Sequence, residues 1–142
     1  MRFNAKDLNP QRLIARARHE ANLIYPYPTR RKGRTLEQII ETCCYGQAAE
    51  LYLIDEQGYE DNLDPYQDVI DKNGNRVEVK VTEGDYYVPY VIERATQARK
   101  TPYRKHPDIL YVFIGNKKTL DYHIHNIYEW NGHLFVSQNL NS

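Results

Sequence analysis

The chain has 142 residues, with 19 Lys and Arg balanced by 19 Asp and Glu. That length suits one domain, whose core needs neither disulfides nor a structural metal. The only cysteines, Cys43 and Cys44, are adjacent, and bridging neighbours would strain the backbone severely, so a disulfide framework is excluded and a reducing cytoplasm is the simple expectation. No apolar run reaches the roughly 18–20 residues of a membrane helix. The opening MRFNAKDLNPQRL has no hydrophobic signal core, so no membrane association is expected.

The charge is zero in sum but uneven in layout. Residues 1–34 hold 9 basic against 2 acidic side chains, residues 35–85 hold 3 against 13, and residues 86–142 hold 7 against 4. An acidic middle between basic flanks suits a cation centre held between phosphate-binding arms.

In chain order, Asn9-Pro10 can start a helix running to about Leu23 that carries Arg12, Arg16 and Arg18. Residues 25–34, YPYPTRRKGR, read as a basic loop punctuated by Pro and Gly. Thr35 suits the N-cap of a second helix, TLEQIIETCCYGQAAELYLIDE. After a loop over 57–65, two short strands are expected, Tyr66–Asp71 and Arg76–Val81. A helix from about Pro89 to Lys100 follows. Asp108–Gly115 contains ILYVFI and reads as a central buried strand. The end, DYHIHNIYEW-NG-HLFVSQ, reads as a hairpin with an Asn-Gly turn. The order α-α-β-β-α-β-β-β predicts an α/β or α+β sandwich with a mixed sheet. It would comprise a basic N-terminal helix and loop (1–34), a catalytic core (35–115) and a C-terminal hairpin (116–142).

The segment YQDVIDKNGNRVEVKV carries the chemistry. Phosphodiester hydrolysis needs a cation to polarise the phosphate and acidify water, hard carboxylate oxygens to hold it, and can use a nearby Lys to hold the water or stabilise the developing negative charge. Alternation along a strand puts Glu78 and Lys80 on one face, with Val77, Val79 and Val81 on the other. A two-residue Asn-Gly loop would pair Asp68 with Val79, on the wrong face. A type I turn over Asp71-Lys72-Asn73-Gly74, with Gly74 left-handed, sets Asp71 opposite Asn75 and hence Asp68 opposite Glu78. An acid two positions before a lysine carries no weight alone; the strand and turn context does. On the second helix, 100° per residue gathers Leu36, Ile39, Ile40, Cys43, Cys44, Leu51 and Ile54 on one arc. Glu50 falls inside it, between Ile39 and Cys43, and needs a polar destination. Gln47 lies on the same arc.

These residues, from Gly46 to Val81, resemble the PD-(D/E)XK nuclease superfamily. The likeness is greatest to its small single-domain branches, the archaeal Holliday-junction resolvases and the YraN-like proteins. The matching elements are Gly46-Gln47-Ala48-Ala49-Glu50, the step Gly58-Tyr59, Asp68, and Glu78-Val79-Lys80; Gln67 stands where the motif's name has Pro. The resemblance covers about a quarter of the chain. It implies a restriction-endonuclease-like αβββαβ core and ligation of Mg²⁺ or Mn²⁺ by Asp68, Glu78 and the Val79 backbone carbonyl. It also implies a water-handling Lys80 and an accessory role for Glu50.

The expected activity is a metal-dependent DNA endonuclease, structure-selective or site-specific, working as a homodimer because two strands need two centres. Rival readings are a non-catalytic nucleic-acid-binding protein of the same fold and an RNA-directed nuclease. Arg12, Arg16, Arg30, Arg31, Lys32 and Arg34 are the candidate phosphate contacts. Tyr25, Tyr27, Tyr86, Tyr87 and Tyr90 read as core or interface packing, with base stacking as the alternative. His123, His125 and His133 read as sheet surface rather than a zinc site.

Overall fold

A computed structural model describes residues 1–62, 68–101 and 106–138. In chain order the elements are β1 (Arg2–Asn4), a 3₁₀ turn (Ala5–Asp7), α1 (Pro10–Ile24), α2 (Pro28–Arg31), α3 (Leu36–Asp55) and β2 (Glu60–Asp61). There follow β3 (Val69–Ile70), β4 (Arg76–Thr82), a second 3₁₀ turn (Asp85–Tyr87), α4 (Val88–Arg99), β5 (Ile109–Gly115), β6 (Asp121–Trp130) and β7 (Phe135–Gln138).

The helix boundaries follow local chemistry. Asn9 accepts hydrogen bonds from the Gln11 and Arg12 N–H groups ahead of a Pro at the first turn of α1. Thr35 and Gln38 form a reciprocal capping box at the start of α3. That helix then runs unbroken through Gly46 to Asp55. The basic stretch expected to be all loop contains the single turn α2, with Lys32 left-handed at its end.

The sheet is mixed, in the order β1-β6-β5-β4-β3-β2, with β7 also pairing with β6. Among the described residues only β4 and β5 pair in parallel, and α4 lies in the crossover between them. The described helices cover both faces. On one, Ala48, Ala49, Leu51 and Leu53 of α3 pack with Val69, Val77, Val79, Tyr111 and Phe113. On the other, Val88 and Ala95 of α4 pack with Leu110, Val112, Tyr128 and Phe135. Ala17 and Ala21 of α1 meet Ile39 and Cys43 of α3, so the basic N-terminal helix belongs to the core.

Three details depart from the expectation. Residues 66 and 67, the start of the expected Tyr66–Asp71 strand, lie outside the described residues, and β3 covers only Val69 and Ile70 of the remainder. The final hairpin pairs Trp130 with Phe135, so its connection is four residues, not a two-residue Asn-Gly turn. Asn131 explains the longer loop: its side-chain oxygen accepts from the His133 and Leu134 N–H groups. Finally, Tyr25, Tyr27, Tyr86, Tyr87 and Tyr90 are all exposed rather than part of the core.

Where β5 ends, Gly115 allows a close approach. A Cβ there would sit 2.6 Å from the ring of Tyr122, which is 3 % exposed. Tyr122 donates its hydroxyl to the Tyr45 carbonyl (2.9 Å), and Tyr45 donates its own to the Gly115 carbonyl (2.8 Å). Gly115→Ala should therefore cost about 1–3 kcal/mol by overpacking and lower Tm by several degrees. An unchanged thermal melt would show that Tyr122 can move aside freely.

Candidate active site

The β3–β4 hairpin is built by Asp71. Its N–H donates to the Asn75 carbonyl (2.9 Å), and Gly74 N–H donates back to the Asp71 carbonyl (3.1 Å). The Asp71 carboxylate accepts from the Asn73 and Asn75 N–H groups, and Gly74 has φ +82°. The loop is the expected three-residue turn, and its register, Ile70 with Arg76 and Val69 with Val77, follows.

One residue further the ladder changes. Regular pairing would set Asp68 opposite Glu78. Instead Asp68 N–H donates to the Val77 carbonyl (3.2 Å), so Asp68 and Val69 share one partner residue, the pattern of a bulge. The Asp68 carboxylate then accepts the Val79 N–H at 2.7 Å. It occupies the place in the ladder that a main-chain carbonyl would take, on the edge of β4 away from β5.

Glu50 reaches the same place from α3. It is 8 % exposed, as its position inside the apolar arc requires. Glu50, Asp68, Val79 and Lys80 line one cavity of about 410 Å³, together with Glu20 of α1 and Arg34. Glu78 does not line it; its carboxylate pairs with the Lys80 ammonium at 3.2 Å.

The electrostatics are those of crowded, half-dry acids. Burial pushes the Asp68 carboxyl up to about 6; the Val79 N–H and Lys80 oppose this, while Glu78 and Glu20 add to it. Glu50 is raised well above the usual carboxylate range, first by burial and then by repulsion from Asp68, with Arg16 opposing. For Lys80, burial works against the charge, but Glu78 and Asp68 outweigh it and hold the ammonium protonated. The Lys80 side chain is 47 % exposed, so water screens its pair with Glu78.

The six candidate phosphate contacts separate into two groups. Arg12 forms a two-pronged pair with Asp55, at 2.7 and 3.0 Å. Arg16 is turned inward: it donates to Gln47 (2.9 Å) and Asp61 (2.7 Å), with Glu50 at 3.6 Å. Arg30, Arg31, Lys32 and Arg34 stay together on and after α2. Glu20, which receives a hydrogen bond from Gln47 at 2.8 Å, is the site residue that sequence reasoning missed. Its signal was its place four residues after Arg16, one helical turn on, beside the buried Ala17 and Ala21.

Among the described residues no group of three or more His, Cys, Asp or Glu side chains could hold a metal ion. Mg²⁺ does not require one, since it commonly takes one or two carboxylates and completes its shell with water and phosphate oxygens. Asp68, Glu50 and Glu20, which line the cavity, carry hard carboxylate oxygens of the kind such an ion takes. No protein-family model matches the chain, and no curated protein or solved structure does either. Among the described residues, no helix is long and apolar enough to cross a membrane.

Proposed function

We propose that this chain is a Mg²⁺- or Mn²⁺-dependent endonuclease that hydrolyses phosphodiester bonds in DNA. The observation that carries the reading is the convergence of Glu50, Asp68 and Lys80, from separate elements, on one cavity at the edge of β4. The element order α3-β2-β3-β4-α4-β5 agrees with the αβββαβ order that the resemblance implies, which supports the reading. Asp68, Glu78 and the Val79 carbonyl would hold the cation. Bound there, it would supply neutralisation of the phosphate charge and a lowered pKa for attacking water.

The chain's own residues divide the remaining work. The Val79 N–H fixes the Asp68 carboxylate. Glu78 orients Lys80 through their ion pair, and the Lys80 ammonium stabilises charge developing on a phosphate oxygen or positions the water. Glu50 adds negative charge that makes a bound cation more favourable. Arg30, Arg31, Lys32 and Arg34 contact the DNA backbone. Two copies of the chain would cut the two strands.

Incubating the protein with plasmid, branched-junction and RNA substrates, in Mg²⁺, Mn²⁺ or EDTA, tests this. DNA cleavage in either metal and none in EDTA is expected. A folded protein that cuts nothing in either metal would remove the catalytic reading, and cleavage of RNA alone would reassign the substrate.

A further inference from the structure

The shelf formed by α2 and its flanks combines charge with open aromatic rings. Residues 21–36 contain four cations and no acid. Tyr25 and Tyr27 are 38 % and 56 % exposed. The Arg31 guanidinium lies 5.0 Å from the Tyr25 ring centre, and that of Arg30 lies 6.0 Å from the Tyr27 ring centre. Arg31 donates to the Tyr25 carbonyl and Arg30 to the Leu23 carbonyl, so each is pinned for one of its five donors. The shelf is continuous with the candidate active site through Arg34. Its side chain donates to the carbonyls of Arg30 and Arg31, both at 2.9 Å, and lines the cavity beside Glu50 and Asp68.

We infer that this shelf binds an unpaired DNA strand, stacking bases on Tyr25 and Tyr27 while the neighbouring cations contact its phosphates. Cations alone would serve a duplex backbone equally well. Exposed rings gain only from bases whose faces are open, as in a single strand, a flap or a branch. Pinning the arginines beforehand removes part of the ordering cost of binding. The choice of DNA rests on the nuclease reading above; the stacking argument does not.

The test is fluorescence anisotropy in EDTA, so that nothing is cut. The probes are a short labelled oligothymidylate, a blunt duplex of equal length and the matching oligouridylate. Wild-type protein should bind the oligothymidylate most tightly. Tyr27→Ala should weaken that binding about tenfold while nearly sparing the duplex, and Tyr27→Trp should restore it. The salt slope should stay as in the wild type, because every cation remains. Three results would overturn the inference: no preference for the single strand, equal losses on both DNA probes, or tighter binding of the oligouridylate. Stacking without cleavage would overturn the nuclease reading alone. Cleavage with no effect of Tyr27→Ala on either DNA probe would overturn this inference alone.

Discussion

Asp68→Asn should reduce Mg²⁺-dependent cleavage by roughly a hundred- to a thousandfold, the scale on which removing one preorganised electrostatic group acts. The substitution is close to isosteric. Its amide oxygen can still accept the Val79 N–H that Asp68 accepts at 2.7 Å, so the bulge at the start of β3 should survive. What disappears is the negative charge facing the cavity. Metal-dependent cleavage by folded Asp68→Asn protein within about tenfold of wild type would exclude Asp68 as a ligand.

The same variant has a pH signature in the absence of metal. The Asp68 carboxyl is pushed up to about 6 from an ordinary value of 3.8. Between those values the folded chain keeps a proton that the unfolded chain releases. Stability must then fall as pH rises through that window, by up to about 3 kcal/mol from this group. The contribution is fully present below pH 4 and gone above pH 6. Asp68→Asn does not titrate, so its metal-free melting curve should vary less with pH and lie no lower than wild type at neutrality. A variant that melts well below wild type at pH 7 would mean that the carboxylate is structurally stabilising there.

Glu50→Gln should cut activity, weaken the stabilisation conferred by Mg²⁺, and leave the metal-free protein at least as stable as wild type. The structure contains a competing influence, because Arg16 lies 3.6 Å from Glu50. The shorter bonds of Arg16, however, go to Gln47 and Asp61. Burial and the Asp68 charge together outweigh Arg16 and keep Glu50 raised. Removing the charge therefore relieves a burial and repulsion cost larger than the attraction it forfeits. Wild-type protein should gain stability by mass action on adding Mg²⁺, and the variant should gain less. Equal losses of stability with and without metal, with cleavage intact, would instead make Glu50 a structural partner of Arg16. Thermal melts of both proteins in Mg²⁺ and in EDTA decide between them.

Local signals determined much of this protein. The N-cap at Thr35, the Pro and Asn at the start of α1, the apolar run of β5 and the three-residue turn at Asp71 were legible because each is settled by neighbours within a few residues. Periodicity likewise placed Glu50 among buried positions before any partner was known.

Tertiary structure decided the rest. Arg2–Asn4 is a strand because the edge of β6 offers it unpaired backbone groups, not because three residues carry a pattern. Asp68 was expected directly across from Glu78, but a bulge turned its carboxylate onto the Val79 N–H, an outcome that periodicity cannot encode. Arg12 and Arg16 looked like phosphate contacts, because a helix sequence shows charge without showing the acids that will face it. Folding set Asp55 and Asp61, more than forty residues away, against them. It also brought Glu20 of α1 beside Glu50 and Asp68, since packing of the small residues Ala17 and Ala21 lets α1 approach α3 closely.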